Sequence, residues 1–200
     1  MSLLIETLGF QDGHCELMSY HNERVNRSRR ALLSMSDNWR LEDRIQVPDE
    51  FMRGKVRCRV LYGEQLDRVE FSAYIPRRIE SILIVRDDSI DYNYKYADRR
   101  RLQQLHELRG NCDDVLIARH GVLTDSTFSN LMFERGDRRI TPENSLLAGV
   151  RRAALLDRGY VRMDTVRPEQ VHFDFDRVHL INALLAPGDC VVSVERIYGV

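Results

Sequence analysis

The stretch from Asp114 to Ile140 limits the fold more than any other part of the chain. It is dense in apolar and β-branched residues and is cut by turn pairs at His120-Gly121 and Gly136-Asp137. Short apolar runs bounded by turn signals are the mark of strands, whose half-buried pleated surface suits branched side chains. Three short strands are therefore expected here. The same logic places strands at 2–9, near 14–18 after the Asp12-Gly13 turn, at 55–62 and 68–75 around Gly63-Glu64, at 79–86 and at 190–198. Helical spacing appears from Tyr20 to Met35, where Val25, Leu32 and Leu33 share a side. It recurs over 97–109, stopped by Gly110-Asn111, and from Gly149 to Gly159, a glycine at the left-handed cap position. Val47-Pro48-Asp49-Glu50 is a short helix start, and residues 170–195 supply one more helix or strand with the apolar run Val178 to Leu185. The class is α+β. A small α/β part over residues 1–90 precedes a larger, strand-rich part over 91–200, with the join near residues 87–95.

Thirty basic and thirty-one acidic side chains leave a net charge of -1. That balance does not suit a general polyanion binder, so no nucleic-acid partner is expected. No apolar run approaches the roughly 20 residues that span a bilayer, and the start lacks the basic, then apolar, pattern of a secretion signal. Cys15, Cys58, Cys112 and Cys190 lie far apart with no Cys-x-x-Cys pair. Reduced thiols in a cytoplasmic protein without a zinc site are the simplest expectation. The histidines show no metal spacing.

Of the thirty basic residues only Lys55 and Lys95 are lysines; the other twenty-eight are arginines. An amine can lose its proton near neutral pH and attack a carbonyl, whereas a guanidinium stays charged. Lys95 lies between Tyr94 and Tyr96 at the expected join, where an aromatic wall can exclude water and favour the neutral amine. On spacing alone it is equally a surface lysine at a helix start.

Three other places could carry chemistry. Asp125-Ser126-Thr127-Phe128-Ser129-Asn130 sets a carboxylate and an amide around small hydroxyl residues. A buried carboxylate there would need a cationic partner, although the same residues also make local turns. Gly149 before Val150 and Arg151 can leave backbone amides facing outward at a positive helix end, an anion site. Arg24, in His21-Asn22-Glu23-Arg24-Val25, offers a fork of donors suited to phosphate. Arg57 and Arg59, two apart on an expected strand, share a face and could meet a substrate carboxylate or simply face solvent.

These elements occur together, in this order, in one family. The chain resembles the fold-type IV pyridoxal-phosphate enzymes, or class IV aminotransferases, which include branched-chain and D-amino-acid aminotransferases and 4-amino-4-deoxychorismate lyase. Glu6-Thr7, Asp12-Gly13 and Leu17 look like the family's opening hairpin, and His21-x-x-Arg24-Val25-x-x-Ser28 is similar to its H-x-x-R-L-x-x-S/A helix. Lys95-x-x-Asp98-Arg99 resembles the Schiff-base lysine segment. Asp125-x-x-x-x-Asn130-Leu131-x-Phe133, with Thr141-Pro142 after it, looks like E-x-x-x-x-N-[LI]-F and T-P. Gly149-Val150-x-Arg152 matches the G-I-x-R turn, and Ile181-Asn182-Ala183-Leu184-Leu185 is similar to the C-N-A-L-M stretch of aminodeoxychorismate lyases.

The resemblance implies a D-amino-acid-aminotransferase-like fold in two parts and pyridoxal 5'-phosphate as cofactor. It also implies a small-molecule amino substrate and a homodimer. Lys95 would carry the cofactor and act as general base, and Asp125 would hold the pyridinium nitrogen. Arg24 with the amides of Val150 and Arg151 would anchor the phosphate, with Asn130 and Gly149 beside them. The Asn182 stretch points to the lyase that turns 4-amino-4-deoxychorismate into p-aminobenzoate and pyruvate. An aminotransferase on another amino acid, or a member that keeps the fold without turnover, are the alternatives. Two departures stand out. The family begins with a further strand and a G-D-G-x-F-E loop, so the chain looks N-terminally shortened. And Asp125 stands where the family has glutamate, a reach about 1.5 Å shorter.

Overall fold

Leu4, Glu6, Leu8 and Phe10 alternate with Ile5, Thr7 and Gly9, so even positions share one face of a strand. In the computed structural model, which describes residues 3–199, this segment is strand β1 (Leu4–Gln11). It pairs antiparallel with β2 (Lys55–Tyr62), Leu8 opposite Cys58, and β2 pairs antiparallel with β3 (Leu66–Ala73), Cys58 opposite Phe71. The sheet order is β1-β2-β3. Its inner face, Leu4, Leu8, Phe10, Val56, Cys58, Val60 and Tyr62, closes a core with Val25, Trp39, Leu41 and Ile45. Val25 comes from helix α1 (Met18–Leu33), whose buried stripe His21, Arg24, Val25, Ser28 and Arg29 keeps to one face by helical spacing. Removing such apolar side chains from water contributes about 1.5–3 kcal/mol each.

The chain divides into two compact units, and this sheet belongs to the one formed by residues up to Ile75 together with Tyr94–Asp98. The returning segment runs antiparallel to β1. The Ile5 N–H donates to the Lys95 carbonyl at 2.9 Å, the Ala97 N–H to the Leu3 carbonyl at 2.8 Å, and Leu4 stands opposite Tyr96.

The other unit comprises Pro76–Asn93 and the chain from Arg99 onward. Its strands are β4 (Ile82–Arg86), β5 (Asp114–Arg119), β6 (Val122–Ser126), β7 (Asn130–Arg135), β8 (Arg138–Pro142), β9 (Arg162–Asp164), β10 (Arg177–Ile181), β11 (Val191–Ser193) and β12 (Ile197–Tyr198). They lie in the order β11-β10-β7-β6-β5-β4-β12, with β8 also on β7 and β9 on β8. Helices α2 (Arg100–Glu107), α3 (Val150–Asp157) and the short α4 (Val171–Asp174) belong to this unit.

Several expectations need adjusting. Asp114 to Pro142 holds four strands rather than three, because Thr127-Phe128-Ser129 turns the chain between β6 and β7. Residues 14–18 form no strand: past Gly13, at φ 77, only an isolated Gln11–His14 bridge forms, and Cys15 and Leu17 are buried as core residues instead. The boundary near residue 90 does not follow the compact units either. Strand β4 pairs in parallel with β5 and β12, so it sits in the larger sheet, while residues 94–98 return to the smaller one. Gly159 takes the left-handed conformation (φ 65) expected after α3. Among the described residues no helix is long and apolar enough to cross a membrane.

Candidate active site

The candidate residues fall into two groups, one in each unit. In the smaller unit, Glu6 takes a core position of β1 and its side chain is fully buried. Arg24 of α1 faces it. Arg24 Nε donates to Glu6 Oε1 at 2.8 Å and Nη2 donates to Oε2 at 2.6 Å, a fork on one carboxylate. His21, one helical turn before Arg24, places Nδ1 2.6 Å from Glu6 Oε2. Burial alone would push the Glu6 carboxyl up, but the Arg24 charge and the hydrogen bonds from His21 and Arg24 outweigh it and hold the pKa down at about 2. Burial lowers the His21 pKa, opposed by Glu6 and assisted by the charges of Arg24 and Lys95. Lys95 is half-buried, on the strand-like segment beside β1, and Tyr94 and Tyr96 meet edge to face at 6.3 Å between centroids. Arg57 and Arg59 do share a sheet face as expected. Arg57 donates to Ser72 Oγ at 3.2 Å, and Arg59 pairs with Glu70 at 3.1 Å, both across to β3.

In the larger unit, Asp125 is the last but one residue of β6 and Asn130 begins β7, directly opposite each other. Asn130 Nδ2 donates to Asp125 Oδ1 at 2.8 Å and to the Leu147 carbonyl at 2.9 Å, and the Leu147 N–H donates to Asp125 Oδ2 at 2.9 Å. The hydroxyl residues between them do make turn contacts, with Ser126 Oγ accepting from the Phe128 and Ser129 N–H groups. Asp125 is 5% exposed, and desolvation raises its pKa to about 6 against the lowering pull of its N–H donors and of the Arg152 charge.

Gly149 precedes α3 and no side chain caps this helix end. A Cβ at Gly149 would lie 1.8 Å from Asn130 Oδ1, so glycine is required for space. The first N–H groups of a helix lack intrahelical acceptors, so the amides of Val150 and Arg151 are those this helix end would turn toward an anion. Arg151 also reaches back, its Nε donating to the Asn182 carbonyl at 3.3 Å.

Two further residues of the motifs tie the surrounding elements together. Arg152 donates to Thr141 Oγ1 at 3.1 Å and to the Pro142 carbonyl at 2.8 Å, tying α3 to the Thr141-Pro142 pair of β8. Asn182 spans Ser129 Oγ at 2.9 Å and the Leu184 and Leu185 N–H groups, pinning its own turn to the β6–β7 turn. Glu6 had a signal too: it is the one carboxylate among the inward-facing positions of β1.

Residues 93–192 match the family model described as amino-transferase class IV. A protein of Haemophilus influenzae (strain ATCC 51907 / DSM 11121 / KW20 / Rd), itself described as uncharacterized, is 31% identical over 183 residues, covering 90% of this chain and 97% of that one. The chain belongs to the class IV aminotransferases. That family is the fold-type IV group of pyridoxal-phosphate enzymes, and this chain is accordingly an enzyme. A candidate 4-amino-4-deoxychorismate lyase from Haemophilus somnus 129pt has a crystal structure with a TM-score of 0.86 to this chain at 27% identity, covering 93% of this chain and 98% of that one. The PLP-bound form of a hypothetical aminotransferase from Mycobacterium tuberculosis shares the fold, with a TM-score of 0.76 at 17% identity, covering 99% of this chain and 81% of that one.

Proposed function

We propose that this class IV aminotransferase is a pyridoxal 5'-phosphate lyase that converts 4-amino-4-deoxychorismate to p-aminobenzoate and pyruvate. The observation that carries the cofactor is the Asp125 carboxylate. It is buried, its direct hydrogen-bond donors are neutral, and its pKa stands near 6. Such a carboxylate calls for a cationic partner. A protonated pyridine nitrogen would be that partner, and the start of α3, which no side chain caps, suits a phosphate, so the donor set fits the cofactor.

When bound, the cofactor's protonated ring accepts the electrons released as a proton leaves the substrate carbon that bears the amine. Lys95 Nζ would hold the cofactor covalently and, once displaced by substrate, take that proton. Asp125 keeps the ring nitrogen protonated, since a carboxylate beside it favours its charged form. Asn130 and the Leu147 amide fix the carboxylate's orientation. The family resemblance implies Arg24, and likewise the Val150 and Arg151 amides, as groups that would hold the phosphate. Arg57 and Arg59 offer the face toward which a substrate carboxylate would turn. The active form is taken to be a homodimer, as the family resemblance implies, in the cytoplasm, where its thiols would stay reduced.

Support for the lyase over amino-group transfer comes from the Asn182-Ala183-Leu184 turn and from the likeness to the Haemophilus somnus protein. The aminotransferase reading is favoured by the shared fold of the Mycobacterium tuberculosis protein. One assay separates them. Purified protein supplied with 4-amino-4-deoxychorismate should release p-aminobenzoate without any added 2-oxo acid. Dependence of turnover on 2-oxoglutarate, with no p-aminobenzoate, would overturn the lyase.

A further inference from the structure

Glu6 stands in line with Leu4, Leu8 and Phe10 on the inner face of β1, a position where a carboxylate is costly unless both oxygens are met. Both are met, by Arg24 Nε and Nη2 and by His21 Nδ1. An ionised carboxylate can only accept hydrogen bonds, so the hydrogen of the neutral imidazole sits on Nδ1 and the lone pair on Nε2. Nε2 is buried and has no hydrogen-bond partner among the described residues. Among the described residues, Glu6 is thus the imidazole's one hydrogen-bond partner. With two nitrogens of its planar guanidinium held on one carboxylate, Arg24 cannot swing, and the direction of its remaining donors is set. With His21 neutral, the Glu6–Arg24 pair carries no net charge. The anchor therefore offers donors at fixed places rather than a diffuse positive field.

We propose that Glu6, locked in place by His21, is the positioning residue that makes Arg24 an anchor selective for a phosphate ester. The inference rests on the assignment of Arg24 to the cofactor phosphate. A residue that merely supports the fold would, on substitution, weaken every ligand of the site alike. A positioning residue for the phosphate anchor weakens only ligands that carry the phosphate.

The test compares equilibrium binding of pyridoxal 5'-phosphate and of pyridoxal to the same protein, read by the change in visible absorbance. Glu6→Asp keeps the charge but shortens the reach by about 1.5 Å, so the ion pair survives while the fork is lost. The preference for the phosphate ester should fall about tenfold or more, the worth of one charge-assisted hydrogen bond, with pyridoxal affinity within about twofold of wild type. Arg24→Gln should collapse the same preference. If Arg24→Gln collapses it and Glu6→Asp does not, the positioning role is overturned while the Arg24 assignment stands. If Arg24→Gln leaves it unchanged, that assignment fails and takes the inference with it. Should Glu6→Asp not fold, the wild-type protein decides: nitrogen NMR of labelled histidine should find His21 neutral with its proton on Nδ1. The other tautomer would end the proposal.

Discussion

Asn130 stands across from Asp125 in the β6–β7 register and reaches its Oδ1 at 2.8 Å while also donating to the Leu147 carbonyl at 2.9 Å. The double hold makes the Asn130 side chain rigid at the point where Gly149 backs onto it. Gly149 has an ordinary φ of -74, so nothing in the backbone demands glycine there. The demand is spatial, since a Cβ would sit 1.8 Å from Asn130 Oδ1.

Gly149→Ala should therefore destabilise the protein by about 2 kcal/mol, in the range of an overpacked core site. Asn130→Ala should cost about 1–3 kcal/mol by leaving a buried carboxylate oxygen short of a donor. In the double variant the clash has no partner, so its cost should be smaller than the sum. Urea unfolding of the cofactor-free protein measures all three. Strict additivity would mean that Asn130 moves aside freely, against the two hydrogen bonds that hold it.

Asp125 gives a pH dependence of definite sign. Its pKa is raised from 3.8 to about 6, first by burial, so the folded protein keeps the proton longer than the unfolded chain does. Between those values the folded state binds more protons, and stability falls as pH rises. The loss attributable to Asp125 is about 3 kcal/mol and is complete above pH 6. Asp125→Asn should lack it, so wild-type stability minus variant stability should decline between about pH 4 and 6 in the cofactor-free protein. Saturating pyridoxal 5'-phosphate should shrink that decline, because a cation beside the carboxylate restores its preference for the charged form. A difference that is flat with pH would remove the reason for placing a cation there.

Glu6 has the opposite sign. Burial opposes its ionisation, yet Arg24 and His21 bring its pKa down from 4.5 to about 2. The folded state releases the proton more readily than the unfolded chain, so the stabilisation is whole above pH 4.5 and is lost as pH falls toward 2. Its size is about 3 kcal/mol. Glu6→Gln should flatten acid unfolding over that window, followed by circular dichroism. A wild-type acid transition identical to the variant's would show that the Arg24 fork contributes nothing.

Much of this was legible in the residues, and the misses have physical causes. The alternation along β1 and the helical stripe of α1 are local patterns, so both elements fell within about two residues of expectation. The motifs singled out Lys95, Asp125, Asn130 and Gly149 as candidates because side-chain type and order survive in sequence. The partner of an apolar run does not: the run over residues 82–85 reads the same whichever sheet it joins, and only its parallel pairing with β5 assigns it to the larger one. The hairpin signal at Asp12-Gly13 likewise says that the chain turns, not that a second strand must follow. Leu17 found its burial in the core instead. The motifs contained Arg152 and Asn182, but what these side chains hold, the Pro142 carbonyl and the Leu184 N–H, is brought to them only by the fold.

The near absence of lysine makes the assignment of Lys95 unusually clean to examine. Covalent capture of the cofactor needs an amine that can be neutral, which an arginine cannot supply. Lys55, the other lysine, begins β2 with Nζ 5.9 Å from the Tyr74 ring centroid, on the same strand as the core residues Val56 and Cys58. Borohydride reduction of the cofactor-loaded protein should fix a single pyridoxyl group. Peptide mass mapping should find it on Lys95 in the wild type and in Lys55→Arg. Lys95→Arg keeps the positive charge, so the fold should tolerate it, yet no adduct should form and p-aminobenzoate release should fall by several orders of magnitude. An adduct that persists in Lys95→Arg and maps to Lys55 would move the chemistry to the start of β2.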